Sequence, residues 1–160
     1  MILFHGSLQI IKEPRILVPS RTLDYGAGFY TTTSRQQAKD WVSRKLSEGI
    51  VGYVNIYEFN EKAASQLDCL TFNNPPDEEW VDFVHKNRTQ RYFTHNHDLV
   101  YGPVANDRVY AAFALFEQGL LDKEELIAEL RTYKLIDQML FHTEEALRFL
   151  KFIEAEEVRL

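Results

Sequence analysis

Leu3-Phe4-His5-Gly6-Ser7 (LFHGS, residues 3–7) ends a short apolar run with a histidine, a glycine and a serine. Aromatic and aliphatic residues closed by a glycine read as a strand, which places His5 at the end of the first strand. The next strand is expected at Gly28-Phe29-Tyr30-Thr31-Thr32-Thr33, after a loop that carries Pro14, Pro19, Gly26 and Gly28. A chain that starts in this way is built on a sheet.

Working outward, Ser34 and Gln37 have capping-box spacing, and Ala38, Trp41, Val42 and Leu46 recur at helical intervals before Gly49. The spacing predicts a helix over roughly 34–48. Residues 51–59, VGYVNIYEF, alternate as a half-buried strand does. Residues 73–88 open with prolines and acids and continue with Trp80, Phe83 and Val84 on one face, predicting a second helix. A strand within 95–102, helices over 109–119 and 122–134, and a strand within 134–142 follow. Asp122 is expected to cap its helix, and Thr143 to cap a final short one. The order is neither a regular βαβ series nor a bundle, which predicts an α+β fold with mainly antiparallel pairing. At 160 residues with 45% hydrophobic content, the expectation is a single domain spanning 1–160.

The net charge of −6, with Lys and Arg scattered, argues against a standing nucleic-acid or anionic-membrane surface. No apolar run approaches the ~20 residues of a membrane span, and the start lacks the pattern of a targeting segment. The single cysteine, Cys69, has no partner for a disulfide or a zinc motif. A soluble protein of a reducing cytoplasm is expected.

Three segments combine polar groups with glycine or aromatic residues beyond what packing requires: residues 4–7, residues 24–33 with the helix carrying Trp41, and Asp137-Gln138-Met139-Leu140-Phe141. LFHGS, then GFYTT running into QQAKDW, then DQMLFHTEEAL, resemble in order and separation the motifs of the ADP-ribosyltransferase superfamily. The similarity is to its His-Tyr-Glu branch, which contains the diphtheria-toxin-like and poly(ADP-ribose) polymerase catalytic domains. Within it, a small bacterial group also has D-x-G-x-G-F-Y-T and GPVAND segments. The resemblance implies a split, mainly antiparallel sheet with surrounding helices, and NAD as substrate. It implies cleavage of the nicotinamide glycosidic bond and transfer of ADP-ribose to a macromolecular acceptor. It also implies a toxin restrained by a partner antitoxin.

By this resemblance His5, Tyr30 and Gln138 occupy the triad positions, and His5, Gly6, Ser7, Tyr30 and Trp41 bind NAD. His5 would hydrogen-bond the adenine-side ribose. Gly6 would offer its backbone N–H and C=O to the carboxamide. Tyr30 and Trp41 would cover the two faces of the nicotinamide ring. Trp41 also lies on the apolar stripe of its helix, so a structural anchor stands beside the stacking role. Gly26 and Gly28 read first as turn residues, which makes their loop substrate-adjacent without a catalytic part.

Two positions depart from the family pattern. Gln138 stands where the family has its catalytic glutamate; its carbonyl keeps the hydrogen-bond acceptor but lacks the negative charge. Loss of one such stabiliser typically costs ~10²–10³ in rate, which leaves open a slow, strictly mono-transferring enzyme or an inactive module that binds NAD or ADP-ribose. Ala38 stands where the polymerase relatives have a carboxamide-binding serine. Glu144 and Glu145 read as helix-start acids, and Asp137 is expected on the face opposite Gln138. The His95-Asn96-His97-Asp98 run has no companion cluster, so no metal is expected.

Overall fold

A computed structural model describes residues 1–18 and 22–160; Pro19, read above as part of the first loop, lies outside the described residues. The strands are β1 (Ile2–Ser7), β2 (Phe29–Thr32), β3 (Gly52–Phe59), β4 (Cys69–Thr71), β5 (Leu99–Pro103), β6 (Asp137–Phe141) and β7 (Leu150–Val158). The α-helices among the described residues are α1 (Arg35–Ser43), α2 (Glu78–Thr89), α3 (Asp107–Glu117), α4 (Lys123–Arg131) and α5 (Glu144–Leu147). The strands form one open seven-stranded sheet in the order β4-β5-β6-β2-β1-β3-β7. Every pairing is antiparallel except β4 with β5. The fold is α+β, as the element order predicts.

The helix caps follow the sequence. Ser34, Asp77, Asn106, Asp122 and Thr143 each accept from a backbone N–H of the first turn of their helix. Two expectations are corrected. Helix α1 stops at Ser43 rather than near 48: residues 44–49 run through turns, and Leu46 reaches the Ala38–Val42 cluster from outside the helix. The final short helix opened by Thr143, read over 143–152, ends at Leu147, and residues 150–152 instead begin the long edge strand β7. Exposed charged positions such as Lys151, Glu154 and Glu157 conceal its alternation.

The sheet halves meet at one place. Six residues of β1 pair with β3, yet β1 meets β2 only at Phe4↔Thr32. Side chains on one face of the sheet include Phe4, Tyr30, Gln138 and Leu140, since residues opposite each other in register share a face. On this face α1 packs through Ala38 and Val42 on Val54 and Ile56 of one half. Helices α2, α3 and α4 pack through Trp80, Phe113 and Leu126 around Val100 and Leu140 of the other. The opposite face is closed by Leu3, Phe29, Tyr57 and Phe141 with Leu147 of α5. The two helix groups leave a trough over the β1/β2 junction.

Candidate functional site

The trough holds a cavity of about 390 Å³, within the ~300–1,000 Å³ of small-molecule sites. It is bordered by residues 4–7 of β1, Tyr30 to Thr32 of β2, Gln138 of β6, and Gln37, Ala38, Trp41 and Lys45 on or just after α1. Val104, Ala105 and Tyr110 close it from the β5–α3 side, and Leu23 and Asp24 from the loop before β2. A second hollow of about 360 Å³ shares Leu23, Asp24, Trp41 and Tyr110 and extends to Arg88 and Glu117.

His5 stands at the split. Strand alternation places it on the face opposite Tyr30, with its ring stacked on Phe29 at 4.5 Å. Its Nδ1–H donates to the Tyr30 carbonyl oxygen at 2.6 Å, so a side chain bridges β1 and β2 just past their one backbone pairing. A carbonyl can only accept, so Nδ1 carries the proton and Nε2 is the acceptor of a neutral ring. Burial lowers the His5 pKa, the bond to Tyr30 opposes that, and the charge of Lys45 adds to the lowering. Buried Asn55 holds the following turn, donating to the Gln9 carbonyl and accepting from the Ile11 N–H.

Gly6 is a glycine because α1 lies on it: a Cβ there would collide with the Ala38 carbonyl oxygen. The contact also bears on Ala38, whose backbone is pressed against β1. Ser7 borders the cavity and its Oγ accepts from the Gln9 N–H at 3.2 Å.

Tyr30 borders the cavity with its hydroxyl turned back into the preceding loop, donating to Gly26 O at 2.7 Å and accepting from Tyr25 N at 3.3 Å. That closure needs Gly26 at a φ of +83°, a conformation open chiefly to glycine. Gln138 is 6% exposed and faces Thr32 on β2 and Gly102 on β5. Its Nε2 donates weakly to Pro103 O at 3.5 Å. The Tyr25 hydroxyl, which donates to the same carbonyl and accepts from Trp80 Nε1, lies against it. Asp137 turns away, accepting from Tyr101 and Asn74. Trp41 is 46% exposed at the mouth of the cavity beneath Lys45 Nζ, so it does not anchor the core. The structure therefore brings every residue named for the site to one cavity.

Residues 1–152 match the model of the family described as "Protein of unknown function (DUF3990)". This chain belongs to DUF3990. No curated protein and no solved structure matches it.

The cleft contains groups to which sequence reasoning gave no chemical role, although Asp24 lies in the 24–33 segment it singled out. Asp24 is 8% exposed; it accepts from the Tyr110 hydroxyl at 3.1 Å and lies 3.7 Å from Arg88 Nη1. Gln37 turns its side-chain oxygen onto the Thr32 hydroxyl instead of completing the capping box. The signal for Asp24 was its place before the glycine loop, where an acid reads equally well as a turn residue. The His95–Asp98 run is occupied in holding loops: His95 bonds Tyr25 O, His97 pairs with Asp68, and Asp98 accepts from Thr143 and Asp68 N. Among the described residues no helix is long and apolar enough to cross a membrane.

Proposed function

We propose that this DUF3990 chain binds NAD in the cleft at the β1/β2 split and transfers a single ADP-ribose from it to a macromolecular acceptor, releasing nicotinamide. One observation carries the reading. His5, Tyr30 and Gln138, singled out by resemblance to the His-Tyr-Glu ADP-ribosyltransferases, arise on three strands and border one cavity of ligand size.

The residues present suit such a ligand. Neutral His5 offers Nε2 to a ribose hydroxyl, and the Tyr30 ring and the indole of Trp41 offer apolar faces to a flat heterocycle. Lys45 on the cavity and Arg88 on the adjoining hollow supply positive charge for a diphosphate. When the glycosidic bond breaks, the electron pair leaves with nicotinamide and positive charge develops on the ribose. Gln138 serves there as a hydrogen-bonding group. Being neutral, it does not favour deprotonation of an acceptor hydroxyl, which argues for single transfer over chain elongation.

The neutrality of Gln138 also favours a second reading, a module that holds NAD or ADP-ribose without turnover. Incubation with NAD decides between them. Nicotinamide release that a His5→Ala variant abolishes supports the transferase; calorimetric binding of NAD without release supports the module; neither binding nor release sinks both. The role as a toxin with a partner antitoxin rests on the resemblance alone. Mass spectrometry of extract labelled with tagged NAD would identify the acceptor.

A further inference from the structure

We propose that Asp24 is the carboxylate of this cleft, supplying from the loop before β2 the negative charge that Gln138 lacks. The inference rests on the NAD-cleft reading and adds a catalytic residue to it.

Among the described residues that border the cavity, Asp24 is the one acid. It also borders the adjoining hollow, so its carboxylate stands where the two spaces meet. A carboxylate at this degree of burial is costly to keep ionised unless other groups hold it. The Tyr110 hydroxyl at 3.1 Å and the Arg88 guanidinium at 3.7 Å do so. Arg88 is itself shared with Glu117 at 3.4 Å and lies over the Tyr110 ring. This assembly fixes a negative charge in advance, and a preorganised charge contributes to rate without reorganising during the reaction.

The loop is tied to the candidate triad. Tyr25, next to Asp24, lies against Gln138 through its hydroxyl, and Tyr30 closes the loop by bonding Gly26 O and Tyr25 N. Burial, and less strongly the charge of Asp24, push the Tyr30 hydroxyl upward, so the field of Asp24 reaches this triad residue. A packing role alone does not require an acid here: buried ion pairs are commonly replaced by apolar groups at little cost in stability.

In the step, the bond between ribose and nicotinamide breaks with both electrons going to the pyridinium nitrogen, which becomes neutral. The ribose carbon takes up positive charge and then bonds to a nucleophilic oxygen or nitrogen of the acceptor, whose proton passes to solvent. Asp24 remains a carboxylate throughout and lowers the energy of the cationic stage.

The test compares nicotinamide release and calorimetric NAD binding for the wild type, Asp24→Asn, and Asp24→Asn combined with Gln138→Glu. The expected result is a fall of ~10²–10³ in rate for Asp24→Asn with NAD affinity changed only a few-fold, and recovery of tenfold or more when Gln138→Glu restores a charge. A rate for Asp24→Asn within tenfold of wild type overturns the role of Asp24 and leaves the NAD reading standing. A wild type that neither binds NAD nor releases nicotinamide overturns both. If Asp24→Asn does not fold, the wild type decides. Tenfold tighter binding of a protonated pyrrolidine ribose analogue than of its neutral carbocyclic counterpart supports the charge; equal binding overturns it.

Discussion

The imidazole of His5 donates to the Tyr30 carbonyl oxygen at 2.6 Å, and this bond joins the two halves of the sheet where the β1/β2 ladder has ended. One side chain thus has a structural end at Nδ1 and an acceptor end at Nε2. His5→Asn keeps an N–H donor near the Nδ1 position, so it is expected to fold and to lose NAD binding. His5→Ala is expected to lose binding and, in addition, ~1–2 kcal/mol of stability from the unpaired carbonyl. Denaturant midpoints and calorimetry separate the two effects.

Neutrality of His5 sets a pH window. Its folded pKa is lowered by burial, so the acceptor form persists below the ordinary histidine value near 6.5. NAD affinity is therefore expected to stay flat from pH 8 to about 6.5 and to fall at lower pH, as protonation turns Nε2 into a donor. A titration of Kd against pH checks this; affinity that rises on acidification contradicts the acceptor role.

The packing of α1 on β1 makes Gly6 a sensitive position. Gly6→Ala places a methyl group against the Ala38 carbonyl oxygen and the Val42 Cβ, neither of which can yield unless α1 lifts. The expected cost is ~1–3 kcal/mol. Because α1 carries Gln37, Ala38 and Trp41 into the cavity wall, ligand binding should weaken along with stability. Thermal melts with and without NAD report both.

Legibility in the sequence followed how local the determinants were. Caps such as Ser34, Asp122 and Thr143 act within three residues of themselves, and the sequence exposed them. Strand β4 is three residues long with Cys69 and Thr71 exposed, and β7 presents charges to solvent along an edge, so neither left an apolar pattern. The site behaved similarly. His5, Tyr30, Trp41 and Gln138 were reached through motif order, whereas Asp24 and Tyr110 meet only after α3 has packed beside the loop. In sequence the first resembles a turn acid and the second part of an apolar helix stripe. The opposite faces of His5 and Tyr30 follow from the register of β1 against β2, and like their reunion at a sheet split they are tertiary.

Gln138→Glu tests the electrostatics of the cleft floor. The side chain is buried beside the Pro103 carbonyl, to which a carboxylate cannot donate. Desolvation should raise the new carboxyl above the usual Glu value near 4.3 in the folded state, so the charged form is the disfavoured one. Stability is then lowered by ~1–3 kcal/mol at pH 7 and recovers as pH falls and the group protonates in the folded chain. Unfolding midpoints relative to wild type at pH 7 and pH 5 measure the difference; a variant as stable as wild type at pH 7 would show that the floor tolerates the charge.

The loop that carries Asp24 is held from behind by two histidines, and this predicts an acid limit to its order. His95 Nε2 and His142 Nδ1 donate to the carbonyls of Tyr25 and Ala27, and their rings meet edge-on at 4.3 Å. His97 and Asp68 adjoin them, and the Nε2 of His142 is buried with no hydrogen-bond partner among the described residues. Burial lowers His142 to about 4, against the bond to Ala27 and with help from the charges of His95 and His97. The folded chain thus resists a proton that the unfolded chain takes up near 6.5. Stability is complete above pH 6.5 and is lost as pH falls from there toward 4, by an amount of the order of 2 kcal/mol for His142. His142→Asn retains a donor for Ala27 O and removes the titration. Its unfolding midpoint should therefore fall less than that of wild type between pH 7 and pH 4.5, and equal losses would exclude His142 as the group responsible.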